Sequence, residues 1–387
     1  MRVGSAPDPR RVPPRRPAPT GGAGEPVAPP DEKRWLKLLA RYRDPDPARG
    51  VFELSVTAVP FALTWALMLA CLDHGYYGLC LLLAVPAAGF LVRLFMIQHD
   101  CGHGSFFRRR RANDWVGRVI GVLTLTPYGY WRRSHAVHHA TSGHLDRRGT
   151  GDIAMLTVAE YRALPRRRRL AYRLGRNPLI LLGLGPIYVF FLKYRMPAEL
   201  LEDGDKAAWI SVMGTNLAIA GAVLGMSALV GLESFLLVHL PISLLASSIG
   251  IWLFYVQHQF EDTYWERDPD WSFHAGALHG STHYDLPGPL RWFTANIGVH
   301  HVHHLASRIP SYRLAEVLRD HPALRETGRL TLRQSLACFR LALWDEEKRR
   351  LVSFRELRAP AGAWAPPGTE RSDTTARDAT SGRIAAT

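Results

Sequence analysis

Three histidine clusters dominate the chain of 387 residues. They are His99-Asp100-Cys101-Gly102-His103, His135-Ala136-Val137-His138-His139 and His300-His301-Val302-His303-His304. On a helix, residues i, i+3 and i+4 lie on one face. His99 and His103 therefore point together. So do His135, His138 and His139, and likewise His300, His303 and His304. His301 falls off that face and reads as structural or as an outer support of the ligands. Eight imidazoles on three helical segments can enclose two metal ions. Imidazole suits iron, zinc, copper and nickel. A structural zinc site needs four protein ligands and a zinc hydrolase site three, so eight histidines point to a two-metal centre. Neutral nitrogen ligands replace the glutamates of soluble di-iron bundles. Oxygen chemistry is the usual use of non-haem iron with open positions. A single such cluster is more often an ordinary surface or core feature; three together are hard to produce by chance.

The elements that hold these clusters are apolar. Four segments, about 51–72, 76–98, 208–230 and 234–257, are long enough to span a bilayer, which takes about 20 residues. The first carries only Glu53 and the second only Arg93. The fourth ends in Trp252, Phe254 and Tyr255, which suits a membrane interface. A shorter stretch, 178–194, is broken by Gly183, Gly185 and Pro186. Another apolar run, 115–129, suits an amphipathic segment lying in the interface. Residues 1–30 and 359–387 are polar, without hydrophobic period, and read as disordered tails around a membrane domain at 31–358. The first of these tails lacks the apolar core of a secretory signal.

Charge gives the orientation. The net charge is +14, and sixteen arginines fall between Arg108 and Arg176. The turns at 73–75 and 231–233 carry no Lys or Arg. The positive-inside rule places 99–177 and the N-terminus in the cytoplasm. All three clusters share that side only if an even number of crossings lies between 177 and 258. Hence 178–194 is expected to be re-entrant or interfacial. Four cysteines without a CxxC pattern imply neither a disulfide framework nor a zinc ribbon. The basic balance alone would suit a nucleic-acid binder, but the four spans exclude that class. A metal transporter would carry its histidines within the spans, whereas these gather at one face.

At this point the sequence resembles the membrane fatty acid desaturase superfamily, most closely its acyl-lipid omega-6 (delta-12) type. The matching stretches are His99 to Phe107, Trp131 to His139, Gly151-Asp152, Trp252 to Trp265 and Leu286 to Pro310. The likeness runs from about residue 50 to 320. It implies an all-α membrane fold of four transmembrane helices with a cytoplasmic helical cap. It also implies two iron ions in a non-haem centre, O2, an acyl-chain lipid substrate and a cis double bond as product. A ninth ligand is implied from the last transmembrane helix, and His258 is the residue that matches. In related acyl-CoA desaturases an asparagine one turn earlier helps to hold a metal-bound water; Phe254 stands there in this chain. Front-end desaturases start the third cluster with glutamine, not His300, and carry a fused haem domain with an HPGG motif that this sequence lacks. The two electrons are therefore expected from a separate ferredoxin or cytochrome-type donor, and the location is expected to be a bacterial inner membrane.

Metal-bound histidines usually donate their second N–H to an acceptor. Asp100, Asp152, Glu261 and Asp262 are the candidates, with Asp100 the weakest because its neighbours fill the metal-facing side. His274, His279 and His283 match no ligand pattern and read as structural or as outer supports of the ligand histidines. A hydroxylase or ketolase acting on an alkane, a fatty acid or a carotenoid is the competing enzyme, since the ligand histidines do not separate these outcomes.

Overall fold

The computed structural model describes residues 32–196 and 206–358, so both expected tails lie outside the described residues. Helix α1 (Glu32–Leu39) leads into α2 (Pro47–Asp73) and α3 (Tyr77–His103). Then come α4 (Arg110–Leu123), α5 (Tyr128–Thr141), α6 (Val158–Ala163) and α7 (Arg166–Gly175). A second long pair follows, α8 (Lys206–Val230) and α9 (Leu232–His258). The cap is completed by α10 (Phe273–His279), α11 (Gly288–Phe293), α12 (His300–Leu305) and α13 (Ser311–Asp320).

Helices α2, α3, α8 and α9 are long and apolar enough to cross a membrane, and they fall on the four segments read from sequence. Their ends are set locally. The Asp46 carboxylate accepts from the backbone N–H of Ala48 and Arg49, and Pro47 opens the first turn of α2. Gly104, at φ +67°, closes α3 one residue after His103. Helix α3 is the most buried of the four, packing against both α2 and α9. The outer faces of α2 and α8 expose leucines such as Leu63, Leu67, Leu217 and Leu224, as a lipid-facing surface requires. The two charges inside the spans meet: Arg93 on α3 pairs with Glu53 on α2, bonds Thr57 Oγ1 at 3.1 Å and donates to the Trp292 carbonyl. Ionisable groups at membrane depth are costly unless paired in this way.

The segment after α7 turns by 70°. It runs as two π-helical stretches, Ile180–Leu184 and Ile187–Leu192, interrupted at Gly185 and Pro186. Near its start the Leu182 carbonyl accepts from Ser248 of α9, and at its end Arg195 exchanges hydrogen bonds with Asn216 of α8. Ser248 and Asn216 each lie ten residues from the histidine-side end of their helix. At 1.5 Å per residue both contacts sit about 15 Å below that end. The segment thus bridges two spans. The amphipathic run expected over 115–129 falls on α4 and its turn into α5. Trp115, Val119 and Leu123 form its exposed stripe. Gly117 faces the Tyr128 ring so closely that any Cβ would clash.

Above the spans the chain is an all-α membrane protein's helical cap with two small sheets that the hydrophobic pattern did not announce. In one, β1 (Leu156–Thr157), β4 (Leu341–Asp345) and β5 (Arg350–Ser353) associate in the order β1-β4-β5. In the other, β2 (His283–Asp285) runs parallel to β3 (Arg329–Thr331). Two apolar clusters anchor the cap, one around Trp35, Val302 and Leu314, the other around Leu145, Trp265 and Trp344.

Candidate metal centre

Four segments deliver the histidines. Helix α3 continues past its apolar stretch and carries His99 and His103 on its last turns. Helix α5 carries His135, His138 and His139, α9 ends on His258, and α12 carries His300, His303 and His304. The third cluster reaches the others because the chain after α9 folds back: Thr282 N–H bonds the Gln257 carbonyl, and the N–H groups of His300 and His301 both reach the Thr282 carbonyl.

The nine side chains form two groups. His99, His103, His135, His139 and His303 make one, and His138, His258, His300 and His304 the other. Within each, the candidate ligand nitrogens all lie within 4.8 Å of one another. Each HxxHH motif serves both groups. On α5 the i, i+4 pair His135 and His139 enters the first group and His138 crosses to the second. On α12 the i, i+4 pair His300 and His304 enters the second and His303 crosses to the first. His301 joins neither; it is fully buried and its Nε2 faces the Leu324 carbonyl at 2.8 Å.

The nitrogen spacing fits metal. In the first group Nε2 of His103 and His135, of His135 and His139, and of His139 and His303 are each 3.1 Å apart. In the second, Nε2 of His258 lies 3.2 Å from His138 and 3.0 Å from His300, and His300 lies 3.2 Å from His304. A neutral imidazole bears one N–H and one lone pair, so lone pairs directed at each other across this gap would repel. Metal–nitrogen bonds of about 2.1 Å at roughly right angles give such an edge, near 3 Å. Burial, reinforced by neighbouring imidazoles, holds His135, His139, His300, His303 and His304 well below the usual histidine range. They are therefore neutral at pH 7, the form that donates a lone pair to metal.

The outer nitrogens show what orients the rings. His138 Nδ1 lies 2.5 Å from the Asp152 carboxylate and His258 Nδ1 lies 3.2 Å from the Gly280 carbonyl. His99 Nδ1 lies 3.3 Å from Asp100, whose other oxygen accepts the Ser311 N–H at 2.7 Å. The ranking of Asp100 as the weakest candidate is thus corrected: its buried carboxylate reaches both His99 and the Ser311 N–H. Glu261 and Asp262 do not reach the imidazoles. Just past α9 the chain turns into the cap, Glu261 pairs with Arg350 at 2.9 Å, and Asp262 is exposed. His283 bonds the Arg325 carbonyl, in keeping with a structural role. Trp131 stacks on His135 with ring centres 4.6 Å apart. Phe254 packs 5.1 Å from both His138 and His258. The sequence reading gave no site role to the Gly280 carbonyl, Trp131 or Ser311; none carries a titratable or metal-binding side chain to draw attention.

A cavity of about 540 Å³ adjoins the groups. His99, His135 and His300 line it beside Phe95, Leu253 and Ile297. Along α9 its wall extends from Gln257 back to Ser243, about 21 Å of helix. That size and its mostly apolar wall suit a single extended hydrocarbon chain.

Residues 75–335 match the family model described as fatty acid desaturase. A fatty acid desaturase of Bacillus subtilis is 45% identical over 340 residues, covering 88% of this chain and 96% of that protein. An sn-1 acyl-lipid omega-3 desaturase (ferredoxin) of Synechocystis is 33% identical, covering 57% of this chain and 61% of its own length. An sn-1 oleoyl-lipid 12-desaturase of the same organism is 28% identical over 58% of this chain and 63% of its own length.

Proposed function

The chain belongs to the fatty acid desaturase family, and from that premise we propose that it inserts a cis double bond into a lipid-linked acyl chain at a di-iron centre held by its nine clustered histidines. The observation that carries this reading is the convergence of nine imidazoles in two groups, with neighbouring nitrogens 3.0–3.2 Å apart, beside a long apolar cavity.

His99, His103, His135, His139 and His303 hold one metal, and His138, His258, His300 and His304 the other. Iron at these positions supplies the redox chemistry that an unactivated C–H bond demands. Removal of two hydrogens from adjacent methylenes, with one O2, two electrons and two protons from outside, leaves a double bond and two waters. The protein's own residues place the substrate. The cavity wall excludes water and presents the chain side-on to His99, His135 and His300. Asp152 and the Gly280 carbonyl fix the ring orientation of His138 and His258. Phe254, where a polar donor would otherwise stand, keeps that flank apolar.

The acyl carrier is a lipid, in keeping with the Synechocystis relatives, whose names specify an sn-1 acyl-lipid and an sn-1 oleoyl-lipid for those proteins. The electron donor is a separate carrier of ferredoxin or cytochrome type. Both termini and the cap lie on the cytoplasmic side of a bacterial membrane, where Arg108–Arg111 and Arg166–Arg169 obey the positive-inside rule. The 178–194 segment is re-entrant or interfacial, which leaves the crossings even; its 70° bend and its contacts with Ser248 of α9 and Asn216 of α8 support this.

Two measurements test this together. Purified protein is expected to hold about two irons per chain. Expression in a host with a simple fatty acid profile is expected to yield a new unsaturated acyl chain in the lipid fraction. Zinc in place of iron, or a hydroxylated product, would overturn the reading.

A further inference from the structure

A second, much smaller cavity lies on the outer side of the His138–His258 pair. Its volume is about 10 Å³, and His138, Asp152, His258, Gln259, Trp265 and Gly280 line it. That is the room one water needs and no more. Trp265 is 6% exposed, and its indole N–H is buried without a hydrogen-bond partner among the described residues. Two other tryptophans behave differently: Trp271 of the cap donates to the Ser142 carbonyl at 3.1 Å, and Trp252 near the end of α9 to the Tyr284 hydroxyl at 3.3 Å. Trp265 has little freedom to find an acceptor elsewhere. Its flanking backbone is tied to 143–145 by the bonds Glu266 N–H to Gly143 and Leu145 N–H to Glu266, and its ring packs with Leu145, Met155 and Trp344. A buried donor left unmade is costly, and such groups are usually met by ordered water.

We infer that this cavity is a binding site for one water, which accepts the Trp265 N–H and donates to the Asp152 carboxylate and the Gly280 carbonyl. Those two acceptors are the ones that take the Nδ1–H of His138 and His258. The water therefore couples the orientation of two ligands in the same metal group, and Trp265 acts through it as a positioning residue. This step rests on the reading of the histidines as metal ligands. Loss of an outer partner of a metal-bound histidine typically costs about 10- to 100-fold in metal affinity. Trp265→Phe keeps an aromatic ring and removes only the N–H.

The test is a high-resolution structure of the full chain, as wild type and as W265F, with and without metal, joined to a cobalt(II) titration followed by visible absorption. The expected wild type shows one water within hydrogen-bond distance of Trp265 Nε1, Asp152 and the Gly280 carbonyl, in both metal states. W265F is expected to lose it, to bind one of two cobalt ions about tenfold more weakly and to shift the absorption bands of that ion alone. A dry cavity in the wild type, a water retained in W265F, or cobalt spectra that superimpose would each overturn the inference. The wild-type density decides even if W265F fails to fold. Failure of the wild type to bind any metal is a different result: it would overturn the metal reading, while the water is still read from the metal-free protein.

Discussion

His138 and Asp152 meet at 2.5 Å, closer than His258 lies to the Gly280 carbonyl (3.2 Å) or His99 to Asp100 (3.3 Å). Both side chains are nearly inaccessible to solvent. The carboxylate fixes the ring so that Nε2 faces His258, and it raises the electron density that the ring offers to a metal. Asp152→Asn keeps the shape and removes the charge. We expect it to bind the second metal about 10- to 100-fold more weakly and to lose most desaturation. Iron content and product yield measured on the same preparation check this. Full occupancy with full activity would refute the role.

His258 stands apart from the other eight because it comes from a span end rather than from a cluster. It is one of four histidines in its group, whereas the other group has five. His258→Ala is expected to empty one metal position and spare the other, so that iron falls from about two to about one per chain. Activity should vanish, since both positions are needed. Retention of two irons would remove His258 from the ligand set.

The histidine faces were legible because helical periodicity is a local property: the spacing i, i+3, i+4 survives whatever the rest of the chain does. The four spans were legible too, as each is a long apolar run with at most one charge. The division of each HxxHH motif between two groups was not, because it depends on how α5 and α12 face each other across the site. Gly280 and Trp265 enter from irregular cap segments, where no period marks which atom points inward, and Ser311 enters through the backbone N–H that opens α13. The strands β1 to β5 are two to five residues long, too short for alternation to register. Glu53 and Arg93 were visible as the charges in their spans, yet only the packing of α2 on α3 makes them partners.

That pair also has a consequence for stability. Arg93 sits 4.1 Å over the Trp292 ring as well as on Glu53, so it pins α11, which leads into the third histidine cluster. Arg93→Ala takes one of two cationic partners from the buried Glu53 carboxylate and leaves it the half-exposed Arg49, at 2.6 Å. We expect a loss of at most about 3 kcal/mol, the low end for breaking a buried pair, read by denaturant unfolding in mixed micelles. The double substitution R93M/E53L removes both charges and is expected to recover most of it. Equal destabilisation by the single and the double variant would show that packing, not the ion pair, matters there.

His301 gives the protein a pH dependence of known sign. Burial lowers it from about 6.5 to about 3, so the folded chain holds this ring neutral while the unfolded chain protonates it. The unfolded state then binds more protons, and stability rises with pH across this window. The contribution is complete above about pH 6.5 and is lost progressively as pH falls toward 3. Thermal unfolding midpoints taken from pH 7 to pH 5 should fall, and His301→Gln should flatten part of that slope. A variant with the wild-type slope would mean that His301 does not contribute.

Gly250 offers a test of the large cavity that leaves the metal groups alone. It lines the cavity on α9, eight residues before His258. A Cβ added there meets nothing within 4 Å, so the space beside it is open to a larger side chain. Gly250→Ala is expected to be tolerated, and to gain about 0.5–1 kcal/mol of helix stability. Gly250→Phe projects a ring into the space where the acyl chain would lie. We expect it to keep both irons and its fold while desaturation of long chains drops at least tenfold, or passes to shorter chains that stop before the ring. Lipid analysis of cells expressing each variant, alongside iron content, separates a blocked cavity from a damaged centre. Unchanged chain-length preference in Gly250→Phe would place the substrate somewhere other than this cavity.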